Sequence, residues 1–176
     1  NKKKQSDQIA RLKGAFQRSN DQKQKAQISA NIGRAYLKNN QYKTAIQYYQ
    51  KSIGLDPQLP IAYSGIGLAY AMLNRYELAI FNQKKALNLQ PDLTEALSSL
   101  GLIYLKQNKI DLALSAYQQS IKLKPGVADV QRQIGLIYIS QQSYAQAEVA
   151  FKKALDIDPS SADNYHNLGL SLAYQD

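Results

Sequence analysis

The sequence predicts an all-α chain built from repeated antiparallel helix pairs, and three observations predict it. Gly33, Gly67, Gly101, Gly135 and Gly169 recur every 34 residues. Pro57, Pro91, Pro125 and Pro159 keep the same interval, as do Tyr36, Tyr70, Tyr104 and Tyr138, and Ala45, Ala79, Ala113 and Ala147. Within one interval the apolar residues fall at helical spacing in two runs: Leu97, Leu100 and Tyr104 in the first, Ile110, Ala113, Leu114, Tyr117 and Ile121 in the second. Independent series that share one period are the mark of an array whose units bury their apolar faces against one another.

Residues 1–25 precede the array as a basic arm. The whole chain carries 22 Lys and Arg against 13 Asp and Glu, a net charge of +9. The arm holds eight of the basic residues (Lys2, Lys3, Lys4, Arg11, Lys13, Arg18, Lys23, Lys25) and two acidic ones, so +6 sits there and +3 on the rest. Ile9, Leu12 and Phe16 predict a short amphipathic helix from about residue 6 to 18, placed to cap the first unit. The lysines suit phosphates or an anionic lipid surface, where each contributes about 1 kcal/mol of attraction. The plainer alternative is a solvated terminus. The sequence opens on Asn1 instead of Met, which leaves room for a membrane anchor upstream and for membrane proximity.

Four full units follow, at residues 26–59, 60–93, 94–127 and 128–161, and a fifth begins at 162–176. Asn40, Asn74, Asn108 and Gln142 stand between the two helices of each unit; Asn is the usual non-Gly residue that closes a helix in the left-handed conformation. Each second helix runs into a proline, which disfavours helical geometry in its predecessor and ends the helix. The Gly and the Ala twelve residues later let two backbones approach, with the Tyr three residues after the Gly filling the space beside them. The last unit has a first helix, about residues 162–174, and no second one. Its apolar edge needs a cover, which predicts self-association through the C-terminal edge.

This pattern closely resembles the tetratricopeptide repeat, a 34-residue helix-turn-helix unit with Gly, Tyr, Ala, an aromatic, Ala and Pro at set places. The resemblance runs from residue 26 to 176. Departures are local: Gln83 stands where Tyr49, Tyr117 and Phe151 supply the aromatic, Ser52 and Ser120 replace a later Ala, and Leu172 replaces a Tyr. The resemblance implies a right-handed helical solenoid whose first helices line a concave groove. It also implies that the second, fifth, ninth, twelfth and thirteenth places of each unit form the wall. The ninth place reads Arg34, Leu68, Leu102, Leu136 and Leu170; the twelfth reads Leu37, Ala71, Leu105, Ile139 and Ala173; the fifth reads Ala30, Ser64, Ser98, Arg132 and His166. The family's Lys and Asn clamp for chaperone tails is not matched, since those places read Ala30 with Arg34, Ser64 with Leu68 and Ser98 with Leu102.

An apolar band along the groove is expected to take an apolar or amphipathic segment of another protein, with Arg34, Lys38 and Arg132 orienting acidic groups on it. In the competing view these leucines are core, satisfied by neighbouring helices. Chemistry is not expected. With no Cys there is no thiolate nucleophile or thiolate metal site. His166 and Asp163 read as a plain helical ion pair, not a base and its orienting carboxylate. Gly65-Ile66-Gly67 follows no strand and lacks the third glycine of a phosphate loop, and Asp156 with Asp158 make no ligand set. No metal and no cofactor are predicted. Nucleic-acid or anionic-membrane association through the arm is the alternative function, disfavoured for nucleic acid because Phe16 is the arm's sole aromatic. No apolar run approaches the ~20 residues of a membrane span. The chain as given therefore reads as soluble, cytoplasmic or tethered to face an aqueous compartment.

Overall fold

The computed structural model describes residues 2–175. They form ten helices and nothing else regular: α1 (Lys2–Arg18), α2 (Gln22–Lys38), α3 (Tyr42–Leu55), α4 (Pro60–Met72), α5 (Tyr76–Leu89), α6 (Thr94–Lys106), α7 (Ile110–Leu123), α8 (Ala128–Ser140), α9 (Tyr144–Ile157) and α10 (Ala162–Ala173). The fold is all-α, in antiparallel pairs joined by short turns. Two compact units divide within α6, one ending at Ser99 and the other beginning at Leu100.

The turns follow from backbone chemistry. Asn40, Asn74, Asn108 and Gln142 all lie at φ between 57° and 58°, the left-handed conformation that stops a helix. The N–H after each reaches back to close the turn; Gln41 donates to the Tyr36 carbonyl at 2.9 Å and Ser143 to that of Tyr138 at 2.9 Å. At the other end of each pair, the residue before proline is extended: Asp56 at φ −142°, Gln90 at −143° and Lys124 at −139°. The helix in the arm is longer than the apolar spacing predicts, because its polar first turns need no buried face to stay helical. α2 likewise starts at Gln22, where the Asp21 carboxylate accepts the Gln24 N–H at 2.8 Å and caps it.

In the first unit, Ala30, Ala45, Tyr49, Ala62 and Ile66 make one core cluster, and Tyr63, Ala86, Leu93 and Ala96 another. α1 packs on α2 and buries Ile9. Tyr49 shows what the glycines are for. A Cβ on Gly33 would come within 3.0 Å of its ring, and one on Gly65 within 2.1 Å, so α2 and α4 both close on the Tyr49 ring of α3. The Tyr three residues after each Gly packs beside this contact, Tyr36 and Tyr70 half-buried against the same cluster. The ring directly over the glycine comes from the second helix. Ser52 turns out to be a cross-helix bond, its hydroxyl donating to the Ala26 carbonyl at 2.7 Å, and Ser29 donates to that of Tyr48 at 2.8 Å.

Gln83 takes the aromatic's place in α5. It is wholly buried, its Nε2 donates to the Ser64 carbonyl at 3.0 Å, and its Oε1 finds no partner. A Cβ on Gly67 would meet the Gln83 Nε2 at 2.7 Å, so an amide fills the slot that a ring fills elsewhere.

The second unit repeats the pattern by itself. Ala113, Tyr117, Val130, Ile134, Ile137 and Ala150 form its core. Tyr117 lies over Gly101 and Phe151 over Gly135, at 2.7 Å and 2.6 Å from where a Cβ would stand. Gly169 on α10 has nothing within 4 Å among the described residues, where no ring from a second helix lies on it.

Candidate functional site

The ninth-place residue of each repeat's first helix keeps some surface toward solvent, to a different depth in each. In the second unit Leu102 on α6 and Leu136 on α8 are half-buried, and Leu170 on α10 is exposed. Ile139 is half-buried with them. In the first unit Leu68 on α4 is half-buried, while Arg34 and Lys38 on α2 are exposed. Leu37 and Leu105 are half-buried too, but they pack on the core clusters of their units. The leucines of the stripe are thus shared between packing and surface, neither sealed nor free.

Three expected wall residues are buried. Ser64 is 4% exposed and Ala71 wholly buried, because side chains this small end below the contact surface that their larger neighbours define. Ala30 is buried in the same way. Ser98 is half-buried and its hydroxyl donates to the Thr94 carbonyl at 2.9 Å, within its own helix.

The charged residues have partners that the sequence did not disclose. Arg132 pairs with Asp129 one turn earlier, which takes up part of the charge it was expected to offer a partner. The predicted pair of His166 with Asp163 is not formed: the ion pairs among the described residues are Arg132 with Asp129 and Lys152 with Glu148, and His166 stands exposed. The Arg34 guanidinium lies near the Tyr49 hydroxyl. Burial pushes that hydroxyl up to about 12, and the guanidinium opposes the shift. Tyr117 is raised as well, by burial first and by the nearby Asp129 carboxylate, against the pull of Arg132.

α1 brings a second feature. Lys13 Nζ lies 5.6 Å and 5.8 Å from the ring centroids of Tyr36 and Tyr48, which stack on each other at 5.2 Å. Hydrogen bonds to the two hydroxyls raise the Lys13 ammonium. A cavity of about 790 Å³ opens beside it, between α1 and the end of α2, lined by Ile9, Tyr36, Lys38 and Asn39 among others. Phe16 carries Lys51 at 4.0 Å and Lys25 at 5.7 Å over its ring, so the arm's aromatic serves to seat lysines against the array. Lys3, Lys4, Arg11 and Arg18 point to solvent.

Among the described residues no helix is long and apolar enough to cross a membrane, and no three His, Asp or Glu side chains gather as a metal site would require.

Helix pairs of constant length, Gly against ring, and a left-handed Asn between them are the features by which a repeat family is recognised. Three family models match the chain: one described as a TPR repeat over residues 33–74, and two described as tetratricopeptide repeats over residues 61–93 and 98–162. The chain belongs to the tetratricopeptide-repeat family. Among solved structures, this repeat chain is similar to a thermophilic TPR protein of Thermus thermophilus, with 18% identity, a TM-score of 0.81, and coverage of 94% of this chain and 89% of that one. It is similar to YrrB, a TPR protein with an unusual peptide-binding site, at 24% identity and a TM-score of 0.65 over 93% of this chain and 83% of that one. It also matches the APC/C hetero-tetramer Cut9–Hcn1 at 21% identity and a TM-score of 0.76, over 84% of this chain but only 30% of the other's length. Such identities show the shared fold alone. No curated protein sequence matches the chain.

Proposed function

We propose that this tetratricopeptide-repeat chain is a non-catalytic protein-interaction scaffold, an adaptor or assembly factor that holds an apolar or amphipathic segment of a partner against its first helices. The observation that carries this reading is the leucine stripe of the second unit. Leu102, Leu136 and Leu170 occupy the same repeat place on α6, α8 and α10, and each keeps a solvent-reaching surface although the core nearby is closed. Apolar side chains held open at a regular interval suit a helix or extended segment laid across them. The first unit offers Leu68 with exposed Arg34 and Lys38, a mix that favours a partner with some acidic groups. YrrB, described as peptide-binding, lends the reading support by its similar fold.

The test is the double variant Leu102→Glu with Leu136→Lys. Partner capture from a lysate of the source organism, read by mass spectrometry against the unaltered chain, should be lost, with circular dichroism and melting close to unaltered. A double variant that unfolds would show those leucines to be core and remove the stripe from consideration.

A further inference from the structure

The repeats can be compared with one another, and one place in the second unit lacks what fills its counterpart in the first. In the first unit, Tyr63 on α4 is 5% exposed and packs with Ala86, Leu93 and Ala96, with Ile53 and Leu89 against them. Its hydroxyl donates to the Pro57 carbonyl at 3.2 Å, and Lys85 Nζ stands 4.5 Å from its ring centroid. Two periods later the same places read Gln131 for Tyr63, Lys153 for Lys85, Pro125 for Pro57, Ile121 for Ile53 and Ile157 for Leu89. The neighbours from the second helices are kept in kind, whereas Ile61, Leu93 and Ala96 become Asp129, Ser161 and Asn164, and the ring itself is gone. A hollow of about 490 Å³ lies there, lined by those five residues and by Lys122 among others. None of them belongs to the leucine stripe.

We propose that this hollow is a second docking site, taking a tyrosine side chain from an exposed segment of a partner protein that carries a carboxylate beside the tyrosine. The ring enters between Ile121 and Ile157, where Tyr63 lies between Ile53 and Leu89, and Lys153 caps its face as Lys85 caps that of Tyr63. The Pro125 carbonyl is the sequence counterpart of the Pro57 carbonyl that accepts the Tyr63 hydroxyl, and here it accepts the Val127 N–H at 3.0 Å. The carboxylate follows from the rim. Lys122 and Lys153 are both exposed, and neither is in an ion pair among the described residues, so two cations flank the opening against one carboxylate, Asp156, and leave the rim net positive. Ile157 at 38% exposure is an apolar side chain held out at the mouth, which the entering ring would cover.

The test uses the full chain and a blocked Asp-Tyr-Gly tripeptide as probe, with Asp-Ala-Gly as control, followed by methyl resonances of the isoleucines. The tyrosine peptide should shift Ile121 and Ile157 saturably and the alanine peptide should not. Gln131→Tyr, which rebuilds the first unit's plug, should abolish binding while the melting temperature holds or rises. Lys153→Glu, at an exposed site that folding does not need, should weaken binding at least tenfold. Unchanged binding to either variant, or shifts that ignore Ile121 and Ile157, would overturn the proposal. So would self-association of the unaltered chain that is lost both in Gln131→Tyr and in Tyr165→Ala, since the occupant would then be a second copy.

Discussion

Gln83 is the residue whose replacement most directly tests the packing logic. It is wholly buried on α5, makes one hydrogen bond to the Ser64 carbonyl, and leaves its Oε1 without a partner. Gln83→Phe removes that orphan acceptor, whose burial costs about 1–3 kcal/mol, and gives up a bond contributing about 0.5–1.5 kcal/mol. The added apolar surface contributes about 1 kcal/mol beyond what the Gln methylenes already bury. Overpacking would subtract about 1–3 kcal/mol if the slot were too small. Tyr117 over Gly101 and Phe151 over Gly135 show that the same slot takes a ring elsewhere in the chain. The expected net is a gain of about 1–2 kcal/mol, which for a chain of this size raises the melting temperature by about 2–8 °C. Urea denaturation followed by circular dichroism measures it directly, as a higher midpoint at unchanged slope. A Gln83→Phe chain no more stable than the original would refute the reasoning, because the slot beside Gly67 would then differ from those beside Gly101 and Gly135. Gln83→Ala is the control and should destabilise.

The other predictions use the same denaturation experiment or a titration. Gly135→Ala should cost about 1–3 kcal/mol, since the new Cβ would stand 2.6 Å from the Phe151 ring. Gly169→Ala, with nothing within 4 Å, should instead stabilise α10 by up to about 1 kcal/mol. Gln142→Gly should gain about 1 kcal/mol by relieving a side chain held at φ 58°, and a loss there would mean that Gln142 makes contacts that outweigh the strain. Tyr49 gives a pH dependence. Its hydroxyl is raised from 10.0 to about 12 in the folded chain, so the neutral form is favoured by folding. That contribution is complete below pH 10 and is lost as pH climbs from about 10 to about 12. Tyrosinate absorbance should show Tyr49 ionising well above pH 10, in step with unfolding.

The periodic places made the helices and turns legible. A Gly, a Tyr, an Ala and a Pro at one interval fix where helices pair and stop, and Asn40, Asn74, Asn108 and Gln142 announced their left-handed backbone by type and place. What periodicity does not disclose is which side chain answers a small one. Gly33 says that something comes close; only the geometry of α3 says that it is Tyr49. The stripe was legible in direction but not in depth. Leu68, Leu102 and Leu136 reach the surface, whereas Ser64 and Ala71, on the same helix faces, are too short to do so. Long charged side chains were the least legible: Arg132 settled on Asp129 and His166 on nothing charged, because their many rotamers are chosen by neighbours, not by spacing. The hollow beside Gln131 had a signal in the sequence, the substitution at Tyr63's place two periods on, but its meaning needed the packing around Tyr63.

The position of Tyr49 between Gly33 and Gly65 bears on how the array comes apart. One ring rivets three consecutive helices, so α2 cannot leave, with α1 packed on it, without baring the face of α4 as well. Opening at this end is therefore concerted instead of helix by helix, and the slowest backbone amides of α2, α3 and α4 should lose their protection from deuterium together.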